Sequence, residues 1–327
     1  MRTTPEAVHT VGIIGAGVIG GGWALHFLRL GKTVLVYDPS ESAGEHLRET
    51  AQNTWPTLKR IGLAPGACLE NLHLVSSLEA LNEAEMVQEN APEDLEKKQA
   101  LYQELDTALD WDVPVVSSTS GFAMTDMQKN CRSAARTCVG HPFNPPYIVP
   151  FVEVVGGEKT DPETVRWTEA FYTASEKKVI AMQRELPGFI ANRLQEALWR
   201  EALHMVAEGE ATPEEIDASI VYGPGLRWAF HGPCMTFHLA GGEGGMAHML
   251  EHFEPALKEP WTRLEAPELS DTLRERMVQG CERQTAGRSI AEVVQERDEC
   301  LIRVMQALQE IQPTNPIAQK DAYASCS

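Results

Sequence analysis

The stretch VGIIGAGVIGGGWALHFLRLGKTVLVYD, Val11 to Asp38, decides the fold. It opens with a short apolar run, Val11–Ile14, that ends in glycines, the pattern of a buried parallel strand. Gly21 to Leu30 reads as a helix with Gly31 as its stop. Lys32–Tyr37 (KTVLVY) is a second strand, closed by Asp38 and Pro39. The segment is a β-α-β unit. Gly15-Ala16-Gly17-Val18-Ile19-Gly20 is a GxGxxG. Alone that motif is weak. Here it follows a strand, opens a helix and has an acid at the end of the next strand, which is the context a dinucleotide site needs. Gly15 permits the tight turn, Gly17 lets the backbone approach a pyrophosphate, and Gly20 lets helix and strand pack closely. The pyrophosphate is expected on the helix N-terminus, where free N–H groups and the dipole favour an anion. Asp38 is expected to accept hydrogen bonds from the adenosine ribose. With Pro39-Ser40 behind it and no Arg, it selects NAD over NADP.

Outward from this unit, a polar helical stretch covers 41–60, and strands recur at Leu72–Val75, Ala84–Gln88, Val113–Ser117, Thr137–Gly140 and Val152–Val155. Helical segments such as Leu95–Leu109 fall between most of them. Alternation of this kind implies an α/β fold, a Rossmann-type doubly wound sheet. After Pro187-Gly188 the character changes. Phe189 to Glu208 is one amphipathic helix, Thr212-Pro213-Glu214-Glu215 opens another with a capping pattern, and 270–310 are almost wholly helix formers. An all-helical C-terminal domain is therefore expected, with the boundary near 185: residues 1–185 bind the dinucleotide and 186–327 serve substrate and dimer contacts. The tail from Pro313 reads as loose.

Composition excludes several classes. The chain has 327 residues, with 28 Lys+Arg against 47 Asp+Glu and a net charge of −19. Nucleic acid and anionic membrane surfaces call for the opposite sign, so a small-molecule substrate is the expected partner. No apolar run reaches the ~20 residues of a membrane span. The glycine-rich N-terminus with His26 and no Ala-x-Ala site is not a signal peptide. Seven scattered cysteines without a CxxC imply reduced thiols and a cytoplasmic setting. His248 and His252 stand i,i+4 without a third ligand nearby in sequence, so no metal site is expected. Cys138 reads as a small buried residue.

The catalytic candidates cluster at strand ends, where open α/β sheets keep their sites. Ser118-Thr119-Ser120 follows the strand VPVVS, and His141-Pro142-Phe143-Asn144-Pro145 follows TCVG. Glu153 lies inside the apolar strand FVEVV. A buried glutamate is costly unless partnered, and His141 is the natural partner. A carboxylate fixes the imidazole tautomer and stabilises the imidazolium, making a general base.

The chain resembles the L-3-hydroxyacyl-CoA dehydrogenases and their short-substrate relatives. The resemblance rests on GxGxxG at 15–20, Asp38, Glu89-x-x-x-Glu93 with Lys98, Ser-Thr-Ser at 118–120, HPFNP at 141–145, Glu153, and PGFIANRL at 187–194. It implies that His141 is the base, Glu153 its partner, that Ser120 and Asn192 hold the substrate oxygen, and that Glu93 and Lys98 line the nicotinamide side. It also implies a homodimer. Where the acyl-CoA enzymes carry a lysine-rich hairpin, 41–75 offers only Arg48, Lys59 and Arg60 as Lys or Arg, and Ser118 stands where they usually have Asn.

The stretches at 53–67, 196–206, 223–233 and 260–271 resemble instead the non-CoA branch whose substrate is L-carnitine. L-gulonate, another 3-hydroxy acid or a short-chain acyl-CoA are the alternatives. A trimethylammonium is recognised by aromatic faces. Phe143, Tyr147, Trp199, Trp228 and Phe230 are the candidate rings, with Trp228 foremost because it lies in the Gly/Pro-rich GPGLRW. Arg193, Arg200 and Arg227 are candidates for a bidentate grip on the carboxylate.

Overall fold

The computed structural model describes residues 1–229, 231–257, 262 and 270–311. Phe230, most of 258–269 and the tail from 312 lie outside the described residues, and with them the readings made there. The chain divides into two compact units, one over Met1–Ile190 and one that begins at Ala191.

The first unit is an eight-stranded sheet: β1 Thr10–Ile14, β2 Thr33–Tyr37, β3 Leu72–Val75, β4 Met86–Glu89, β5 Val115–Ser117, β6 Thr137–Pro142, β7 Phe151–Gly156 and β8 Lys178–Ala181, in the order β3-β2-β1-β4-β5-β6-β7-β8. The order reverses at β1, which pairs in parallel with both β2 and β4. That reversal is the switch point at which such sheets bind ligands. Every pairing is parallel except β6 with β7, whose antiparallel register sets His141 opposite Glu153. Helices α1 Val18–Arg29, α2 Glu41–Ile61, α3 Leu95–Ala108, α4 Met124–Met127 and α5 Pro162–Ala174 lie among the strands.

Alternate strand residues feed two cores. Val11, Ile13, Val34 and Val36 join one with Trp23, Phe27 and Phe171, while Ile14, Leu35 and Val115 join the other with Tyr102 and Met124. This is the period-2 pattern of strands buried on both faces.

Three features differ from the sequence reading. Helix α1 starts at Val18, not Gly21. Gly20, Gly21 and Gly22 disfavour helix intrinsically, but packing overrides propensity: a Cβ on Gly20 would stand 1.9 Å from the Gly15 carbonyl oxygen, and one on Gly22 would stand 2.6 Å from Pro146. Strand β8 was not anticipated, because KVIA is four residues long and flanked by charge. Strands β4 to β7 are also offset by up to two residues at their ends.

In the second unit the described residues form helices α6 Phe189–Glu208 (which starts in the first unit), α7 Pro213–Val221, α8 Gly225–Trp228, α9 Pro233–Ala240, α10 Gly245–Leu257, α11 Asp271–Thr285 and α12 Ile290–Ile311. Thr212 and Glu215 form the capping box that the sequence signals at α7. Leu203, Val206 and Leu273 make a small core.

Candidate active site

The glycine turn between β1 and α1 has the geometry that suits a dinucleotide. Gly15 holds φ +85, and a Cβ there would stand 2.6 Å from the Asn90 carbonyl oxygen. Both facts require glycine. Around Gly17, the N-cap of α1, a Cβ would meet nothing within 4 Å, and no side chain caps the helix. Uncapped first-turn N–H groups facing open space suit a pyrophosphate. Ala16, Val18 and Ile19 complete the turn, and Val18 is exposed. Asp38 Oδ2 accepts the Ala16 N–H at 2.7 Å and Oδ1 accepts the Ser40 N–H at 2.8 Å. Each oxygen keeps a lone pair, so the carboxylate braces the turn and still has acceptor capacity for a ribose.

A polar network underlies this turn, and the sequence reading missed most of it. Tyr172 donates to Gln88 at 2.5 Å, Gln88 donates to Ser118 Oγ at 2.8 Å, and Ser118 donates to Asn90 Oδ1 at 2.7 Å. Trp23 Nε1 also donates to Ser118 Oγ, at 3.1 Å. Asn90 Nδ2 donates in turn to the carbonyl of Ile14. Burial holds the Tyr172 hydroxyl well above its ordinary range, so it stays a donor. The available signal was the polar run Gln88-Glu89-Asn90 at the end of a strand that the core surrounds.

At the end of β4, Glu89 forms a buried ion pair at 2.8 Å with Lys98 of α3, both at most 1% exposed. Lys98 also donates to the Ala91 carbonyl, and Ser117 Oγ donates to Glu89 at 2.6 Å. Such a pair persists only with further hydrogen bonds, and here both partners have them. Glu93, 43% exposed, lies 3.6 Å from Lys98 Nζ and accepts from Thr119 Oγ1 at 2.6 Å and from the Ser120 N–H at 2.9 Å. The Ser-Thr-Ser turn is thus fastened to Glu93, with Ser120 exposed beyond it.

His141 ends β6 and Glu153 faces it from β7. His141 Nδ1 meets Glu153 Oε2 at 2.9 Å, and Glu153 Oε1 accepts the Ile190 N–H at 2.9 Å. Glu153 is fully buried and His141 is 4% exposed. With the carboxylate ionised, Nδ1 carries the hydrogen and Nε2 keeps a lone pair. The rings of Phe143 and Phe189 pack on the imidazole at 5.6 and 5.1 Å. Cys138 is three residues away in the same strand. Burial pushes its thiol up to about 12, which leaves it inert.

The remaining candidates, Tyr147 apart, lie in the second unit. Asn192 is half-buried and Arg193 exposed in α6. Arg200 is paired with Glu196 by an i,i+4 ion pair. Arg227 is exposed and Trp228 half-buried in α8. Trp199 is exposed, whereas Tyr147 packs against the first unit's core.

Comparison with known proteins follows the same two units. The profile of the 3-hydroxyacyl-CoA dehydrogenase NAD binding domain matches residues 10–186, and that of the 3-hydroxyacyl-CoA dehydrogenase C-terminal domain matches 188–280. The chain belongs to the 3-hydroxyacyl-CoA dehydrogenase family. It is an NAD-dependent oxidoreductase that acts on a CH–OH group, and NAD is its cofactor.

Among curated members of this family, an L-carnitine dehydrogenase of Nocardiopsis dassonvillei is 58% identical over 95% of this chain and 95% of its own. That of Bacillus cereus is 46% identical over 94% and 95%. Among solved structures, a 5-formyl-3-hydroxy-2-methylpyridine 4-carboxylic acid 5-dehydrogenase matches with a TM-score of 0.79 and 25% identity, covering 92% of this chain and 99% of that one. An (S)-3-hydroxybutyryl-CoA dehydrogenase of Ralstonia eutropha matches at 0.61 and 26%, covering 86% and 95%.

Proposed function

We propose that the protein oxidises the 3-hydroxyl of L-carnitine to 3-dehydrocarnitine, with His141 as general base and Glu153 as its partner. What carries the substrate assignment is similarity: relatives named L-carnitine dehydrogenase are 46–58% identical over nearly the whole chain. Bound NAD would supply the hydride acceptor for C3. His141 Nε2 takes the hydroxyl proton, and Glu153 on Nδ1 stabilises the imidazolium that forms. A dry pair of this kind works in a low dielectric, where its attraction is strongest. Ser120 and Asn192 orient the oxygen, by the family resemblance. Glu93 and Lys98 stand on the nicotinamide side, with Lys98 acting through Glu93.

The nitrogen of carnitine is two bonds from the reacting carbon. A ring beside the base is therefore well placed for the trimethylammonium, and Phe143 has that position. Trp228 is the second ring, and Arg227 and Arg193 are proposed for the carboxylate. The net charge of −19 favours a substrate bearing a cation. Steady-state NADH formation over L-carnitine, L-gulonate and 3-hydroxybutyryl-CoA tests the assignment. L-carnitine is expected to give the highest kcat/KM, and a preference for either of the others replaces it.

The protein is proposed to work in the cytoplasm as a homodimer. Cys68, Cys131, Cys138, Cys234 and Cys300 are free thiols, as in a reducing compartment. No described helix is long and apolar enough to cross a membrane. Leu194, Leu198, Trp199, Tyr222 and Leu226 are exposed apolar residues of the helical unit, which suits a two-fold contact.

A further inference from the structure

We propose that Phe189 is a positioning residue for the dehydrogenase reaction. Its left-handed backbone aims the Ile190 N–H at Glu153, and its ring walls the imidazole of His141. The inference rests on the reading of His141 and Glu153 as the proton-transfer pair.

Phe189 has φ +54, directly after Gly188 at φ +71. Glycine adopts this region freely, but a bulky residue does not. Among the described residues only Glu176, Phe189 and Ala286 are non-glycine residues with positive φ. A strained residue persists where its surroundings over-determine it, and such residues gather at functional sites. Two local consequences follow here. First, the chain turns sharply into α6, so that the next amide, Ile190, donates to Glu153 Oε1 at 2.9 Å. The other oxygen meets His141 Nδ1 at 2.9 Å. The carboxylate is held by a donor on each oxygen and cannot rotate. Second, the buried phenyl ring lies 5.1 Å from the imidazole at an interplanar angle of 39°. A glycine at 189 would keep the turn and lose the wall. An aromatic residue supplies both at the cost of strain.

The Ile190 N–H holds the carboxylate against Nδ1 of His141, where it faces the charge that forms on the imidazole during proton transfer. Loosening this clamp weakens His141 as a base. Turnover then falls, and the acid limb of the pH–rate profile moves to lower pH. Cofactor binding and substrate KM are untouched, which separates positioning from general damage.

The test assays Phe189→Leu, Phe189→Tyr and Phe189→Gly beside His141→Ala, each checked for folding by circular dichroism. The readouts are kcat and KM for the best substrate, the acid limb, and NADH binding by fluorescence. Phe189→Leu is expected to lower kcat by about tenfold with KM within about threefold, and to shift the acid limb down. Phe189→Tyr recovers most of kcat. Phe189→Gly keeps the backbone turn, so kcat falls while the acid limb stays in place. Wild-type kcat and acid limb in folded Phe189→Leu overturn the proposal. Should that variant not fold, wild-type kcat in folded Phe189→Gly overturns it. If His141→Ala keeps its activity, the base assignment itself fails. If His141→Ala is silent while the Phe189 variants behave as wild type, only the positioning role fails.

Discussion

Two side chains carry the residue-scale account, His141 and Asp38. His141→Ala should cost about 10²–10⁴-fold in kcat, the usual loss for a general base, with NADH affinity little changed. A folded variant retaining more than about a tenth of kcat would show that the proton leaves by another route. Asp38 has a double role, since its oxygens already hold the Ala16 and Ser40 amides. Asp38→Ala would therefore damage the turn as well as the cofactor preference. Asp38→Asn keeps one acceptor oxygen and removes the charge, and with Pro39→Arg it should narrow the NAD preference over NADP. Equal kcat/KM for both cofactors in the wild type would contradict this assignment. The dyad was legible because a glutamate amid FVEVV demands a partner and His141 follows the neighbouring strand. The Phe189 wall was not, because a positive φ on a non-glycine residue leaves no mark in the sequence. Lys98 enters the sequence reading through the family resemblance alone, and its burial against Glu89 was not legible there.

At the scale of the element, the turn into α1 separates folding from binding. Gly17 faces open space, whereas a Cβ on Gly20 collides with the Gly15 carbonyl. Gly17→Ala should leave the melting temperature nearly unchanged and weaken NAD binding by about tenfold or more, since the methyl fills the pyrophosphate's approach. Gly20→Ala should lower stability by a few kcal/mol, as overpacking does. Thermal melts with NAD titrations check both, and equal behaviour of the two variants would refute the division. The first β-α-β unit was readable because strand, glycines and acid occur in one short window. Strand β8 was not, because four residues with charged neighbours give no period. The antiparallel direction of β7 was equally hidden, since sheet direction depends on partners distant in sequence.

For the whole molecule, buried basic groups couple stability to pH. Lys177 donates to the carbonyls of Pro146 and Val149 and lies 5.0 Å over the Trp23 ring. Burial, with Arg29 nearby, pushes it down to about 7 from an ordinary 10.5. Between those values the unfolded chain binds a proton that the folded chain does not. Stability is therefore full above about 10.5 and is lost as pH falls toward about 7, by up to about 1.4 kcal/mol per pH unit. His26, lowered well below 6.5 by burial first and then by Lys177 and Arg29, adds a loss of the same sign below pH 6.5. Melting temperatures of wild type and Lys177→Met across about pH 7–10 should diverge, with the wild type rising more steeply. Parallel curves would contradict the shift. Light scattering at micromolar concentration should give a dimer, and a monomer would remove that proposal.

3-Hydroxybutyrate keeps the hydroxyl and carboxylate of carnitine and lacks the ammonium. If the site is built for that cation, wild-type kcat/KM for L-carnitine should exceed that for 3-hydroxybutyrate by about 10²-fold or more, as several ring contacts are forfeited together. Comparable values for the two substrates would contradict the assignment.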